Sequence, residues 1–373
     1  MPSELNKIRV LVVDDSAVMR KLIPSLLEKD EEIEVIATAI DGDFALNKVE
    51  QLKPDVVTLD VDMPRMDGIT VLERIMSRSS VPVVMLSSLT TRGASLTMKA
   101  LGAGAVDFVC KPKGMAQIGD VAVELIAKVK GAARIRRVVP RGVTGNLSLS
   151  AYENFIGHSR AELGRSSVVP GRSLIAIGAS SGGPHALRHV LPRIPKDFAA
   201  GIVIVQHMPE SFTAMLAKWL NEMCEVDVLE ARDGDKIVPG RVLIAPGNAH
   251  LKVRRIGAMA EVVLERGALV SGHMPSVDVL FRSVAEQFGD RVTAVIMTGM
   301  GSDGVVGMGE IKKAGGHTIA QNQESCAIFG MPKVAIERGC VDKVIPLTEI
   351  ASHLISSVGR LSSLEVMSHA ELG

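Results

Sequence analysis

Side chains that can do chemistry follow several apolar runs of this sequence, and they form two sets of different kinds. The first set is acidic: Asp14 and Asp15 follow the run IRVLVV, and Asp60 ends the run DVVTLD. Clustered carboxylates suit a hard cation such as Mg²⁺, and a carboxylate can itself accept a phosphoryl group. The second set, in the other half of the chain, contains a serine, a histidine and an aspartate, the residue types of acyl transfer.

The acyl-transfer set begins with Ser180 in the segment GASSG, which follows the run SLIAIG. A free serine hydroxyl is a weak nucleophile and needs a base. His207, directly after GIVIVQ, is the best candidate for that base, and Asp303, after TAVIMTGMG, can fix its tautomer. The order Ser, His, Asp differs from that of α/β-hydrolases, so GxSxG does not indicate that fold. Backbone N–H groups near Ser181 and Met300 are predicted to form an oxyanion hole.

Two further polar residues follow strand-like runs in the first half and could complete the acidic site. Lys111 comes after AVDFVC and could neutralise phosphoryl oxygens, and Ser87 follows VPVVML and offers a hydroxyl. Taken singly, Asp14 and Asp15 could be a helix-start pair, and Asp60 a turn residue. Four separate strand ends that carry Asp-Asp, Asp, Ser and Lys favour a phosphoryl-acceptor site instead.

Other histidines in the second half leave alternatives open. His185 and His189 closely follow the serine segment and are predicted to be surface or capping residues rather than bases. His250 and His273 lie in loop-like stretches and could line a cleft.

A glycine-rich segment offers a different interpretation of the second half. Residues 299–304, GMGSDG, match the GxGxxG pattern of a dinucleotide site. Such a site needs an acidic residue at a later strand end, but Ala320 and Gln321 stand there. No organic cofactor is therefore predicted.

The elements that must position these residues alternate between strand-like and helix-like runs. From Ile8 to about residue 130 the strand-like runs are IRVLVV, EVIATA, DVVTLD, VPVVML and AVDFVC. From Ser173 to about Leu361 they are SLIAIG, GIVIVQ, RVLIAP, RVTAVIM, GHTIAQ and CVDKVI, with a hairpin of LKVRR and AEVVLE expected between the third and fourth. This alternation predicts an α/β protein of two doubly wound domains, the first with a five-stranded parallel sheet and the second mostly parallel.

The domain limits follow from where this periodicity fails. We predict a first domain over residues 1–130, a linker over 131–172 with a short helix near Asn154, a second domain over 173–361 and a disordered tail over 362–373. The predicted linker contains a basic cluster that is more typical of a solvated face than of a nucleic-acid site: Arg134, Arg136, Arg137 and Arg141.

The composition excludes several classes of function. The formal net charge is +0, which gives no footprint for nucleic acid, and no apolar run is long enough to enter a membrane. The N-terminus lacks the apolar region of a signal peptide, and the four cysteines form no CxxC pair. We expect a cytoplasmic protein with reduced thiols.

The first half resembles the receiver domain of bacterial response regulators, with the motifs VVDDS, LDVDMPRMDG, MLSS and FVCKP in order. The resemblance covers about residues 7–130 and implies a flavodoxin-like fold. It also implies Mg²⁺ bound by Asp14, Asp15 and Asp60, and phosphorylation of Asp60 by a histidine kinase. Ser87 and Phe108 would be the switch positions, with Lys111 beside them.

The second half resembles the catalytic domain of the CheB family of chemotaxis protein-glutamate methylesterases, on the motifs GASSGGP, QHMPESFT, APGNAH, PSVDVLF and TGMGSDG. The resemblance implies that Ser180, His207 and Asp303 form the catalytic triad. It implies hydrolysis of glutamyl γ-methyl esters on chemoreceptors with release of methanol, and in some members deamidation of receptor glutamines.

Together the two halves predict an esterase that phosphorylation activates, with the unphosphorylated receiver domain covering the cleft. The alternative is a response regulator whose second half only binds a partner. A transcription factor, the common version, would need a helix-turn-helix and a basic face, and residues 173–361 show neither.

Overall fold

Each half of the chain is built on one parallel β-sheet, as the alternating runs predicted. The computed structural model describes residues 7–64, 66–112, 114–138 and 174–370, with the backbone alone for 135–138 and 359–370. These residues divide into two units, one on each side of the segment 139–173. The predicted α/β class with two doubly wound domains is confirmed.

The described residues of the first unit form five strands and five α-helices. The strands are β1 (Ile8–Val13), β2 (Ile33–Ala39), β3 (Val56–Asp60), β4 (Val83–Ser87) and β5 (Asp107–Cys110). The helices are α1 (Met19–Leu27), α2 (Gly42–Leu52), α3 (Gly68–Arg78), α4 (Thr91–Gly102) and α5 (Ile118–Val138), with a 3₁₀ turn at Met115–Gln117. The sheet order is β2-β1-β3-β4-β5, and every strand pair is parallel.

The strands of this sheet are almost wholly apolar because both of their faces are covered. Alternate residues of β1, Val10 and Val12, pack with Leu26 of α1 and Leu125 of α5 in one buried cluster. β1 lies between β2 and β3, so the residue after β1 and the last residue of β3 meet at the carboxyl edge of the sheet. This is the edge at which open α/β sheets place their sites.

Helix α5 continues beyond the domain limit predicted at residue 130. It reaches Val138, and Ala132 and Ala133 are buried in the same cluster as Val10. The segment GAARIRR lacks the large apolar side chains that marked the earlier helices, although alanine and arginine are good helix formers. The first unit therefore extends past residue 130. The helix expected near Asn154 lies outside the described residues.

The second unit contains nine strands and six α-helices in its described part. The strands are β6 (Leu174–Ala179), β7 (Gly201–Gln206), β8 (Asp227–Glu230), β9 (Arg241–Ile244), β10 (His250–Ile256), β11 (Met259–Glu265), β12 (Val292–Ile296), β13 (His317–Gln321) and β14 (Lys343–Ile345). The helices are α6 (Gly183–Val190), α7 (Glu210–Asn221), α8 (Val277–Phe288), α9 (Val305–Lys313), α10 (Met331–Glu337) and α11 (Leu347–Ala370), with 3₁₀ turns at Leu191–Arg193 and Gly289–Arg291.

Seven of these strands form a parallel sheet in the order β14-β13-β12-β6-β7-β9-β8. The predicted hairpin is present as the antiparallel pair β10 and β11. β8 was not predicted, because DVLE is short and has only one buried residue, as edge strands often do.

The order of the large sheet reverses at β6. β7, β9 and β8 lie on one side of it, and β12, β13 and β14 lie on the other. In open α/β sheets the crevice at the carboxyl ends of the strands next to such a switch point is where ligands bind. The topology therefore directs attention to the residues that follow β6, β7 and β12.

The last described helix differs from the prediction of a disordered tail after residue 361. α11 runs to Ala370, where LSSLEVMSHA contains leucine, glutamate and alanine, which favour helix. Across the described part of the chain, no helix combines the length and apolar character that a membrane span requires.

Candidate active site

The acidic residues of the first unit meet at the carboxyl edge of its sheet. Carboxylate oxygens of Asp14, Asp15 and Asp60 all lie within 4.8 Å of one another. Asp14 and Asp60 are buried, whereas Asp15 is exposed. The Asp14 carboxylate is oriented by the backbone N–H of Ser16, which donates to its Oδ1 over 2.9 Å.

Lys111 joins this cluster from the loop after β5. Its Nζ lies 2.7 Å from Asp14 Oδ2 and 2.7 Å from Asp60 Oδ2. Burial raises the pKa of Asp60 to about 6, and the charge of Asp14 adds to the rise although Lys111 opposes it. One ammonium therefore does not fully compensate the buried negative charge.

The negative charge that Lys111 leaves uncompensated indicates whether a divalent cation fits this site. Three carboxylates around one point, two of them buried, form the oxygen donor set that Mg²⁺ takes in phosphoryl-transfer sites. The residues present fit that ion.

The two predicted switch positions lie on neighbouring strands beside the acidic cluster. Ser87 is fully buried at the end of β4, and Thr97 Oγ1 of α4 lies 2.8 Å from its hydroxyl. Phe108 of β5 is buried, and the Lys128 ammonium lies 5.0 Å from the centroid of its ring. Both side chains are enclosed within the receiver-like unit.

Ser180 is the first residue after β6, and the chain turns sharply behind it. Its N–H donates to Thr298 O over 3.0 Å, and its carbonyl accepts from Gly183 N over 2.8 Å. Gly182 has φ +77°, a left-handed conformation that favours glycine. This turn leads directly into α6 and leaves Ser180 half-buried at the sheet edge.

His207 stands beside Ser180 because β6 and β7 are paired in register. Ala179 is opposite Gln206, so the next residue of each strand, Ser180 and His207, leaves the sheet at the same level. The N–H of His207 donates to Ala179 O over 3.0 Å. Among the described residues, none forms a hydrogen bond with His207 Nδ1, which is buried. The Ser180 hydroxyl and the imidazole are thus neighbours that are not hydrogen-bonded to each other.

The other ring nitrogen of His207 contacts Asp303. The Nε2 atom lies 2.8 Å from Asp303 Oδ2, and the Asp303 side chain is fully buried. Asp303 also accepts hydrogen bonds from two backbone N–H groups in the first turn of α8, Val277 N over 2.7 Å and Asp278 N over 3.1 Å. The positive end of the α8 dipole therefore points at this carboxylate.

These contacts keep Asp303 ionised. Burial alone would raise its pKa, but the hydrogen bond from His207 and those from Val277 N and Asp278 N outweigh it, and the pKa of Asp303 is lowered. A charged, immobile carboxylate next to an imidazole fixes the tautomer of the ring and stabilises its protonated form.

We expect neutral His207 to hold its proton on Nε2 in solution, since Asp303 accepts there, which leaves the lone pair on Nδ1. Long-range ¹⁵N–¹H correlation NMR distinguishes the two tautomers directly. His250 is an internal reference for the same tautomer, because its Nδ1 accepts from Ser276 N and its Nε2 lies 3.0 Å from Ala268 O. A protonated Nδ1 in neutral His207 would contradict this assignment.

His273 contacts the imidazole face of His207. The two rings are stacked, with centroids 3.8 Å apart and planes at 11°. Burial, together with the charge that His207 can carry, lowers the pKa of His273 to about 4, so His273 is neutral at neutral pH. It restricts the rotation of the base without competing for its proton.

A second group of residues supports Asp303 at Oδ1, the carboxylate oxygen that does not contact His207. Ser276 Oγ donates to Asp303 Oδ1 over 2.8 Å, and the N–H of Ser276 donates to His250 Nδ1 over 3.2 Å. His250 is therefore a buried supporting residue and does not line a cleft. Sequence reasoning missed Ser276, and the only local signal was its position before a helix, where a serine normally caps.

The two histidines that closely follow the serine segment lie on the next helix. Both His185 and His189 lie on α6, where His185 is exposed, as expected. His189 is buried, which differs from the predicted surface position, because it lies on the apolar face of α6 beside Val190.

The two predicted oxyanion donors lie in the turns after β6 and β12. Neither Ser181 N–H nor Met300 N–H donates to a backbone carbonyl among the described residues. Free donors at these positions are compatible with an oxyanion hole, which remains a prediction.

The glycine-rich segment 299–304 has a packing explanation. A Cβ at Gly299 would lie 2.8 Å from Ser180 Cβ, so glycine permits the close approach of the two turns. Asp303 in the same segment is occupied by His207 and α8. The close packing against Ser180 explains a glycine at position 299 without a dinucleotide.

Known proteins match both units. Residues 10–122 match the response regulator receiver domain, and residues 175–354 match CheB methylesterase. A protein of Koribacter versatilis named protein-glutamate methylesterase/protein-glutamine glutaminase 2 is 49% identical over 362 residues, 96% of this chain and 99% of that protein. A Sulfurimonas denitrificans protein-glutamate methylesterase/protein-glutamine glutaminase is 48% identical over 343 residues, 92% of this chain and 96% of its own. The solved CheB methylesterase catalytic domain of Thermotoga maritima is 41% identical, covers 49% of this chain and 97% of its own, and has a TM-score of 0.49.

Proposed function

We propose that this chain, which belongs to the CheB family of methylesterases with an N-terminal receiver domain, is a protein-glutamate methylesterase and protein-glutamine glutaminase regulated by phosphorylation. Both family resemblances predicted from the motifs are confirmed. The observation that carries the catalytic proposal is the buried pair of His207 and Asp303 beside Ser180, at the switch point of the sheet.

The proposed reaction begins with attack of Ser180 Oγ on the carbonyl carbon of a glutamyl γ-methyl ester. His207 Nδ1 takes the hydroxyl proton, and the imidazolium is stabilised by Asp303. Collapse of the tetrahedral intermediate expels methanol, which receives that proton from Nδ1. A water molecule then attacks the acyl-enzyme with His207 again as base, and it releases the glutamate and restores Ser180. General-base action of this kind contributes about 10²- to 10⁴-fold.

The same groups can act on a receptor glutamine. The attack and the proton transfer are unchanged, but the leaving group is ammonia in place of methanol. An amide nitrogen must be protonated before it can leave, so the imidazolium of His207 is needed as an acid. This supports the second activity in the names of the relatives.

In the receiver unit we assign Asp60 as the phosphoryl acceptor. Lys111, 2.7 Å from Asp60, would neutralise the phosphoryl oxygens. Mg²⁺ held by Asp14, Asp15 and Asp60 would supply the remaining positive charge. Phosphorylation places about −1.5 to −2 charge at this edge, and Ser87 and Phe108 would respond to it. Covering of the cleft by the unphosphorylated receiver domain remains a prediction.

The binding-module alternative is not favoured. A buried carboxylate that accepts hydrogen bonds from a helix terminus and a histidine is costly to desolvate, and a docking surface has no need of it. The arrangement of His207, Asp303 and His273 has a direct use only if a proton is transferred.

We expect a phosphodonor to stimulate methanol release from methylated chemoreceptor membranes by roughly 5- to 150-fold, the usual range of coupling between two sites. The assay compares acetyl phosphate plus Mg²⁺ with buffer alone. Asp60→Asn removes the acceptor and should abolish the stimulation while basal release remains. Asp43→Asn, at an exposed position of α2, is the matched control and should respond as the parent does. Stimulation that survives in Asp60→Asn would exclude Asp60 as the acceptor.

The partners and limits of the protein complete the proposal. Methyl-accepting chemoreceptors would be the substrate and a chemosensory histidine kinase the phosphodonor. Four free cysteines support a cytoplasmic location.

The catalytic domain would span about residues 173–361, with the linker beginning after α5.

A further inference from the structure

Gln206 is the last residue of β7, and its side-chain amide bridges the two turns that carry the proposed nucleophile and base. Its Nε2 donates to Ser180 O over 2.8 Å and to His207 O over 3.1 Å. The residue is 1% exposed, so water does not compete for these bonds. Each of the two donor hydrogens of the amide is used by a different turn.

The orientation of this amide is determined by its surroundings. If nitrogen and oxygen exchanged places, Gln206 Oε1 would face two carbonyl oxygens and repel both. In the observed orientation Oε1 points at Gly183, where a Cβ would overlap it. Among the described residues, none donates a hydrogen bond to Oε1, although it is buried. The Gln206 amide is therefore buried at this position although its Oε1 accepts no hydrogen bond from the described residues.

On the other side, Ser180 is held by a second buried glutamine acting through Thr298. Thr298 O accepts from Ser180 N over 3.0 Å, and Thr298 N in turn donates to Gln321 Oε1 over 2.9 Å. The peptide of Ser180 is thus fixed at its N–H from the turn after β12 and at its carbonyl from the end of β7. Only the contact from Gln206 also includes His207.

We propose that Gln206 is a positioning residue that sets the separation and orientation of Ser180 and His207. The inference rests on the proposed function, in which these two residues exchange a proton. They are not hydrogen-bonded to each other in this structure, so their mutual placement depends on the backbone of their turns. Gln206 is the side chain that ties those two backbones together. A misplacement of about 1 Å at a reacting pair can cost about 10²-fold in rate.

The first test is Gln206→Met, which keeps the length of the side chain and removes both donors. We expect kcat on methylated receptors to fall by about 10²-fold while KM stays near that of the parent, because Gln206 is 1% exposed and its amide hydrogens are donated to backbone carbonyls. Gln287→Met is the matched control, since Gln287 bonds the backbone of Arg255 in a different part of the unit. Thermal unfolding shows whether each variant is folded.

Gln206→Glu separates positioning from a loss of packing. As a carboxylate this side chain would present oxygen to two carbonyls, whereas the protonated acid can donate to one of them. Burial raises the pKa of a carboxyl group, so activity relative to the parent at the same pH should rise as the pH is lowered. Thermal unfolding over the same pH range shows whether the variant stays folded. A constant activity ratio in a variant that is folded throughout would overturn the proposal.

Gly183→Ala tests the same contact from the opposite side and is needed if Gln206→Met does not fold. The Cβ introduced by Gly183→Ala would displace the Gln206 amide, so activity should fall. Adding Gln206→Ala to Gly183→Ala should lower the activity little further. Fully multiplicative losses would show that the two residues act independently and would contradict the proposal.

Labelling of Ser180 by a fluorophosphonate distinguishes failure of this inference from failure of the proposed function. The probe needs an activated serine and no receptor. One possible result is that the parent labels rapidly but releases no methanol, whereas Gln206→Met labels slowly. That result would support the positioning role of Gln206 and reject methylated receptors as the substrate. Parent-like labelling and parent-like kcat in folded Gln206→Met would overturn the positioning role.

Discussion

Replacing Ser180 with alanine should lower methanol release by about 10⁶-fold, the loss typical of removing a serine nucleophile from a triad. The loss should appear in kcat, because the hydroxyl forms its covalent bond only after substrate has bound. Stability should change little, since the backbone N–H and carbonyl of Ser180 carry its hydrogen bonds to Thr298, Gly183 and Gln206 and are kept in alanine. Methanol release from methylated receptor membranes measures the effect.

Ser181→Ala is the matched control for this experiment. Ser181 is the adjacent serine, and only its backbone N–H is assigned a role, which alanine retains. We expect it to keep most of the activity. Uptake of phosphate at Asp60 should be unaffected in both variants, since that site belongs to the other unit. Turnover in a folded Ser180→Ala protein, or an equal loss in Ser181→Ala, would mean that the nucleophile is not Ser180.

The residues at strand ends could be predicted from the sequence because topology alone brings them together. Parallel strands all end at one edge, so an apolar run followed by Asp14, by Ser180 or by His207 already places a polar side chain at the site edge. The geometry of β6 and β7 then puts Ser180 beside His207 with no further information.

The contacts that hold these site residues in place could not be predicted. They come from segments that are distant in sequence and carry no local sequence signature. Asp303 is bonded by the first turn of α8, 26 residues earlier in the chain at Val277. His273 lies in a loop, and its stacking on His207 depends on how that loop folds back. Gln206 is recognisable in the sequence only as the end of a strand, and its bridging role appears once Ser180 is seen opposite it.

Element ends were the least predictable feature for a related reason. α5 and α11 both extend past the predicted limits of their domains, residues 130 and 361, into segments where small and polar residues replace the apolar stripe. Helix propensity continues in such segments after amphipathic periodicity has stopped, so a prediction based on periodicity ends the helix too early.

Asp303→Asn should lower kcat by about 10⁴-fold, the effect of holding a catalytic histidine in the wrong tautomer. Asp303 Oδ1 accepts from Ser276 Oγ, Asp278 N and Gly304 N, whereas Oδ2 accepts from Val277 N and His207 Nε2. In the Asp303→Asn variant the side-chain oxygen will take the position of Oδ1, where three donors are available. The amide nitrogen will therefore take the position of Oδ2 and face His207.

That orientation reverses the hydrogen bond to the imidazole. The amide introduced by Asp303→Asn would donate to His207 Nε2, so the ring proton moves to Nδ1. Nδ1 is the atom that must accept the proton of Ser180, and once protonated it cannot do so. The same ¹⁵N–¹H NMR experiment should show this exchange of tautomer. The amide nitrogen would also face Val277 N–H, so some loss of thermal stability is expected with the loss of rate.

Asp278→Asn separates the tautomer effect from the general cost of altering a buried carboxylate. Asp278 is 2% exposed and lies in the first turn of the same helix. Its oxygens accept from Gly307 N and Ser271 Oγ and not from His207. Asparagine can keep the first bond and donate in the second, so kcat should stay within several-fold of the parent. If Asp278→Asn lost as much activity as Asp303→Asn, the effect would lie in the start of α8. If Asp303→Asn lost rate with His207 still protonated on Nε2, the carboxylate would act through its charge on the imidazolium and not through the tautomer.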